Sequence, residues 1–248
     1  MSRQTATLGS VLTCLLAFLG AACVRQQVRA LATPSEAKVH LDQGTVYFNR
    51  HDYVRARREF ETALTAEPAS GRIMNLIGLT HFHQKNYRPA AEWFRKAATA
   101  QPDYAPAHKN LGAAYAMNRQ FENARKAYER ALALNPASAS TYFSLGSVCF
   151  ELGDSDKAMS YLARGLEIDP DFLQKNGQLV DLPMSGSSLA EMYFSYARFY
   201  AGRGDLGRTV EYLDRAKDAG FRDWGRLRLE KEFEPLLETP EIRKYLKD

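Results

Sequence analysis

Cysteine is scarce in this chain: three residues in 248, at Cys14, Cys23 and Cys149. Two of the three fall within the first 23 positions. The rest of the chain therefore holds one thiol and no disulfide framework, and its stability has to come from packing. An excess of one charge is also missing. The formal net charge is +4 and no run of like charges marks a basic tail, so no nucleic-acid partner is expected. There is no glycine-rich phosphate loop, no G-x-S-x-G elbow and no H-E-x-x-H helix, which argues against an enzyme and against a bound cofactor. Apolar content of 45% and charged content of 25% match an ordinary soluble protein and select no class.

The first thirty residues differ from that average. Arg3 is the only charge before Arg25, and Leu8 to Ala22 is a charge-free apolar run ending in small residues. A positive start, an apolar stretch and a small-residue end make an export signal, placed at residues 1–22, with 23–36 as a linker. The stretch "LGAAC" resembles the lipobox of bacterial lipoproteins, in which the cysteine becomes the lipidated first residue; here that is Cys23. Gly20 stands where that box usually has leucine. Cleavage after Ala22 by ordinary signal peptidase is an alternative. So is an uncleaved anchor, since Gln4 to Val24 is 21 uncharged residues. The expected location is the periplasmic face of a bacterial membrane, or the periplasm.

Beyond residue 36 one period dominates. Prolines stand at Pro68, Pro102, Pro136 and Pro170, each 34 residues after the last. Glycines keep step at Gly44, Gly78, Gly112 and Gly146, and alanines at Ala56, Ala90, Ala124 and Ala158. A further column reads Ala63, Ala97, Ala131 and Gly165, and a bulky one Phe60, Phe94, Tyr128 and Leu162. Glycine inside a helix costs about 1 kcal/mol relative to alanine, so its recurrence implies a close contact. Gly78 and Ala90 are read as the small residues that let two helices approach, with Phe94 and Leu111 filling the space between hairpins. The prolines close each second helix, because a residue before proline disfavours helical angles.

These columns resemble the tetratricopeptide repeat, a helix-turn-helix unit of 34 residues. The resemblance implies an all-α fold: a right-handed helix-turn-helix solenoid of four units over 37–172. "FLQKNGQLVDLPMSGSS" then breaks the period as an insertion at 173–189, with "MSGSS" read as a surface loop or hinge. A degenerate fifth unit fits 190–223, with Ala197, Tyr200, Thr209, Leu213 and Ala216 in the repeat columns. Residues 224–248 form capping helices, one starting at Thr239–Pro240.

In the tetratricopeptide family the first helices line a concave groove in which ligands lie. The resemblance places there Lys38, Leu41, Thr45, Phe48 and Asn49 from the first unit. Arg72, Asn75, Leu79, Phe82 and His83 follow from the second, Lys109, Ala113 and Met117 from the third, and Phe143, Ser147 and Phe150 from the fourth. Exposed aromatics among basic and amide groups suit a protein or peptide segment, so the expected role is an interaction adaptor or scaffold of the cell envelope. Similar lipoproteins act as pilotin-type assembly factors. A cell-wall-acting enzyme subunit is the other alternative, its chemistry confined to the insertion. The family's carboxylate-gripping pattern is matched at one lysine, Lys109, but is not met as a whole, since Ala113 and Ser144 stand where asparagines are needed.

The histidines offer no metal site. His81 and His83 in "GLTHFHQKNY" are two apart and point in different directions, whereas zinc on one helix needs ligands three or four apart. His81 takes a tyrosine column inside the hairpin, and Cys149, in the same column, is expected to be buried and unreactive.

Overall fold

A computed structural model describes residues 35–172 and 185–246, and every regular element among them is helical. Residues 1–34, with the expected export signal and Cys23, and most of the expected insertion lie outside the described residues. The described chain divides after Pro68 into two compact units. The first is one hairpin, α1 (Glu36–Asn49) and α2 (Tyr53–Ala66). The second holds α3 (Gly71–His83), α4 (Tyr87–Ala100), α5 (Ala105–Met117), α6 (Phe121–Leu134), α7 (Ala139–Glu151) and α8 (Ser155–Ile168). After these come α9 (Gly186–Ala201), α10 (Leu206–Asp218) and the short α11 (Arg226–Leu229) and α12 (Pro240–Arg243), with 3-10 turns at Lys231–Leu236 and Lys244–Leu246.

Each pair closes on the same turn. The amides of Asp52, Asn86, Gln120, Asp154 and Asp205 donate back to the carbonyls of Tyr47, His81, Tyr115, Cys149 and Tyr200, a six-residue closure with one left-handed residue inside it. That residue is His51, Lys85, Arg119, Gly153 or Gly204, with φ between 58° and 77°. A side chain in this conformation costs roughly 1–2 kcal/mol, so three of the five turns carry strain that glycine relieves. The Lys85 side chain is exposed, and the hydrogen bond its amide donates to the Phe82 carbonyl at 2.9 Å is one that glycine can also make. We expect Lys85→Gly to stabilise the second unit by about 0.5–1 kcal/mol in urea titration, the relief being partly offset by the added freedom of the unfolded chain. Aspartates reinforce three starts: Asp52, Asp154 and Asp205 accept from the amides of Arg55, Lys157 and Arg208. At the other end, Glu67, Gln101, Asn135 and Asp169 leave the helix at φ between −128° and −139°, as a residue before proline must.

The glycine column makes room for a bulky side chain of the facing helix. A Cβ on Gly44 would lie 2.5 Å from the Phe60 ring, on Gly78 2.6 Å from Phe94, and on Gly112 2.7 Å from Tyr128. On Gly146 it would lie 2.8 Å from Leu162. The bulky residue sixteen positions later therefore lies directly over each glycine, and at Gly146 the added Cβ would also lie 3.3 Å from the carbonyl of the facing Ala158. The alanines Ala56, Ala90, Ala124 and Ala158 are each fully buried beside it. Phe94 then joins hairpins as well, sharing one buried cluster with Ala90, Leu111, Ala114 and Ala127.

α9 begins at Gly186 and not near 190. Ser185 caps it by accepting from the amide of Ser188, so the described part of "MSGSS", Ser185 to Ser188, is a helix start, and Met184 lies outside the described residues. In this hairpin Ala197, Tyr200, Thr209, Leu213 and Ala216 are all buried. The core here is aromatic: Phe194 stacks on Phe221 at 4.3 Å, Tyr200 stacks on Tyr212 at 5.5 Å, and Trp224 covers Tyr245 at 4.9 Å. Among the described residues no helix is long and apolar enough to cross a membrane.

Candidate functional site: the face of the first helices

In the second unit each hairpin packs on the next, and the first helices α3, α5, α7 and α9 also touch one another in order. Their shared face is set by 3.6-residue periodicity: positions one turn apart on each helix point the same way, and the repeat brings equivalent positions alongside. Polar ties cross from helix to helix on it. Asn110 Nδ2 donates to Asn75 Oδ1 at 2.9 Å, joining α3 to α5. Lys109 Nζ donates to Ser140 Oγ at 3.2 Å, joining α5 to α7. Ser147 donates to its own helix at Phe143 O and approaches Met192 Sδ on α9.

The thirteen positions expected to meet a ligand separate into three groups. Lys38, Asn49, Arg72 and His83 are exposed, and Leu41, Phe48, Leu79, Phe82, Lys109 and Met117 are half-buried. Asn75, Phe143 and Phe150 are buried. Asn75 is committed to Asn110. Phe143 stacks on Phe172 at 4.3 Å and meets Tyr196 at 6.5 Å, so a residue beyond α8 and another on α9 have covered it. Phe150 lies in the same core. Ser147, also placed in the groove by register, is fully buried. Phe82 has a packing side, with Tyr87 at 5.3 Å and Phe94 at 6.5 Å, and leaves only part of its ring to solvent. Lys38, Leu41, Phe48 and Asn49 all sit on α1, in the first unit.

Sequence reasoning missed Glu151, in the same column as His83 and Met117. Its side chain is only 5% exposed. It accepts from the Ser185 amide at 2.6 Å and faces Arg119 at 3.9 Å, which fastens the start of α9 onto the end of α7. Register alone could place this residue but not show that it is covered. Glu151→Ala is expected to cost about 2 kcal/mol, the value of a buried charge-assisted bond, and to remove hydrogen-exchange protection first at Ser188 and Leu189.

On α9 the face is closed by the chain itself. Phe194, in register with Lys109 and Phe143, packs against Phe233 at 5.5 Å under the Arg226 guanidinium at 4.6 Å. Arg226 bonds Glu191 at 2.8 Å and Glu230 at 3.2 Å, and Arg198 bonds Glu230 at 2.8 Å. The part of the face open to a ligand in this unit therefore lies on α3 and α5, with the edge of α7.

Chemistry on the described residues is sparse. No group of three or more His, Cys, Asp or Glu side chains converges among them. His40 is held by Glu59 at 2.7 Å, and His108 by the Pro102 carbonyl at 3.1 Å. Burial, with the Asp154 charge adding to it, pushes the Cys149 thiol up to about 11, so it stays protonated at neutral pH.

Stacked helix-turn-helix hairpins with a period of 34 residues define a helical repeat protein. Two family models described as tetratricopeptide repeat match residues 41–105 and 103–171, so together they run over 41–171 of the 248 residues, and the chain belongs to the tetratricopeptide repeat family. No curated protein matches the chain. Solved structures share its fold. MamA (41-end) from Desulfovibrio magneticus RS-1 is 18% identical, with a TM-score of 0.57 over 76% of this chain and 97% of that one. YrrB, described as a TPR protein with an unusual peptide-binding site, is 20% identical at a TM-score of 0.52, over 77% and 90%. TTC0263, a thermophilic TPR protein in Thermus thermophilus, is 20% identical at 0.50, over 86% and 100%. At these identities the likeness speaks for the fold alone.

Proposed function

We propose that this chain is a non-catalytic interaction scaffold that holds a segment of a partner protein along the first-helix face. The observation that carries this reading is the combination on α3 and α5: exposed Arg72, half-buried Leu79 and Phe82, and the amide pair Asn75–Asn110 bridging the two helices. Apolar groups beside fixed amides and a cation suit an extended peptide, whose backbone needs hydrogen bonds and whose side chains need shallow pockets. YrrB, with its peptide-binding site, lends the reading support by fold. The location goes with it: export through residues 1–22 and a lipid on Cys23 would hold the scaffold at the periplasmic face of a bacterial membrane, in the manner of an envelope assembly factor.

The two halves are tested separately. Capture from native envelopes is expected to yield a partner with the wild type and not with Arg72→Glu combined with Leu79→Asp, the double variant keeping the helicity and Tm of the wild type. Equal capture by the folded variant would remove the first-helix face from the function. Mass measurement of the mature N-terminus decides the anchor: an unmodified Cys23 in exported protein would exclude lipidation.

A further inference from the structure

The column that reads Lys109 on α5 and Phe143 on α7 is built twice and filled once. In the fourth hairpin the Phe143 ring stacks on Phe172 at 4.3 Å with only 11° between the planes. Gly165 makes the room, since a Cβ there would lie 3.1 Å from the Phe143 ring. One period earlier the three positions are Lys109, Ser138 and Ala131. No ring occupies the seat. Lys109 turns its ammonium to Ser140 Oγ at 3.2 Å, and a cavity of about 200 Å³ opens beneath it, lined by Ala131, Asn135, Ser138 and Thr141 as well as Lys109. Among the described residues the Lys109 ammonium meets no carboxylate. Asn110, also on the wall, is tied to Asn75, so the cavity is continuous with the amide pair on the face.

We propose that this cavity takes one aromatic side chain of the bound partner segment, and that a carboxylate next to that aromatic pairs with Lys109. The inference rests on the interaction reading above and names the residue class the face selects. Its shape argument is internal. The fold already places planar rings at this point in the next hairpin, against the corresponding wall of α8 and with the corresponding residue, Asp169, beside them. Among the described residues the ammonium of half-buried Lys109 bonds a neutral hydroxyl and no carboxylate, and a carboxylate arriving with the ring would satisfy it better. Ser138 and Asn135 can accept or donate to a phenolic hydroxyl, so tyrosine fits as phenylalanine does.

The test uses the full chain and a defined probe, N-acetyl-glutamyl-phenylalanine amide, followed by heteronuclear NMR. Saturable shifts are expected at the amides of Lys109, Ala131 and Ser138. The alanine counterpart of the probe should bind at least about tenfold more weakly. Lys109→Phe with Ala131→Gly and Ser138→Phe rebuilds the filled arrangement of the next hairpin. This variant should fold with an unchanged or higher Tm and show no shifts. Lys109→Gln keeps the cavity open; it should bind the glutamyl probe about tenfold more weakly and lose the preference for glutamyl over glutaminyl. Shifts that map elsewhere, equal binding of the alanine probe, or full binding by the filled variant would each overturn the proposal. Should the filled variant fail to fold, the Lys109→Gln preference and the mapped shifts decide alone. A partner that is captured through Arg72 and Leu79 but binds the filled variant normally would sink this inference and leave the scaffold reading standing.

Discussion

Gly112→Leu is expected to cost at least about 3 kcal/mol and to lower the Tm of the second unit. Even a bare Cβ at this position would lie 2.7, 2.8 and 2.9 Å from three atoms of the Tyr128 ring. The ring cannot step aside, because Tyr128 is 1% exposed and its neighbours Ala116, Ala124 and Leu132 belong to the same buried cluster. A leucine must therefore push α5 from α6, and each hairpin relies on its neighbours for burial, so the damage spreads along the stack. Gly146→Ala is the graded comparison. It brings a single methyl group to within 2.8 Å of Leu162 Cδ2, 3.0 Å of its Cγ and 3.3 Å of the Ala158 carbonyl, and should cost about 1 kcal/mol. Removing the obstruction gives the sharper check: in the Gly112→Leu background, Tyr128→Ala should recover part of the loss instead of adding to it. Chemical denaturation of the four variants measures this. Additive losses from the two changes would show that the glycine does not serve the ring.

The second large effect is alkaline unfolding. Burial pushes the hydroxyls of Tyr128 and Tyr196 well above the normal tyrosine range, Tyr128 in spite of an opposing hydrogen bond with Ser144. Tyr212 and Tyr245 are raised as well, first by burial, then by the neighbouring Tyr200 and by the Asp214 carboxylate respectively. In the unfolded chain these groups titrate near about 10. A raised folded pKa means stability that is intact below that pH and lost as pH climbs above it, because the unfolded state gives up its proton first. Each tyrosine that stays protonated in the folded state removes about 1.4 kcal/mol per pH unit above its unfolded pKa, so Tyr128 and Tyr196 together remove about 3 kcal/mol per unit. That is a large part of a typical domain's stability. Helicity followed from about pH 9 to about pH 12 should collapse in one transition, accompanied by tyrosinate absorbance. Tyr196→Phe should move the midpoint upward. At neutral pH it should be neutral or stabilising, since the Tyr196 hydroxyl is buried with no hydrogen-bond partner among the described residues. Retained helicity at the top of the range, or an unmoved midpoint in Tyr196→Phe, would contradict the assignment.

Much of the fold was legible because a repeat encodes its contacts at short range. The glycine, alanine and bulky columns meet inside one hairpin, at separations of twelve and sixteen residues, so a single 34-residue unit contains both halves of each contact. The prolines and turn sequences likewise act on their own neighbours, and α2, α4, α6 and α8 end two residues before Pro68, Pro102, Pro136 and Pro170. What the columns did not disclose was the partner of each glycine. The atoms nearest to a Cβ on Gly78 are those of the Phe94 ring, one helical turn beyond Ala90, which composition at the two columns could not show.

The candidate site was legible only in its direction. Periodicity puts Asn75, Lys109 and Phe143 in one column, and the sequence by itself determined that all three leave their helices at the same angle. Only the tertiary structure decided their fates. Asn75 was taken up by Asn110, Lys109 by Ser140, and Phe143 was covered by Phe172 and Tyr196 from segments that break the period. The same holds for Glu151, buried because Ser185 lands on it, and for the face of α9, closed by Arg226 and Phe233. The physical reason is that a helix fixes where its side chains point, whereas exposure depends on what later chain is laid over them, and that later chain follows no repeat.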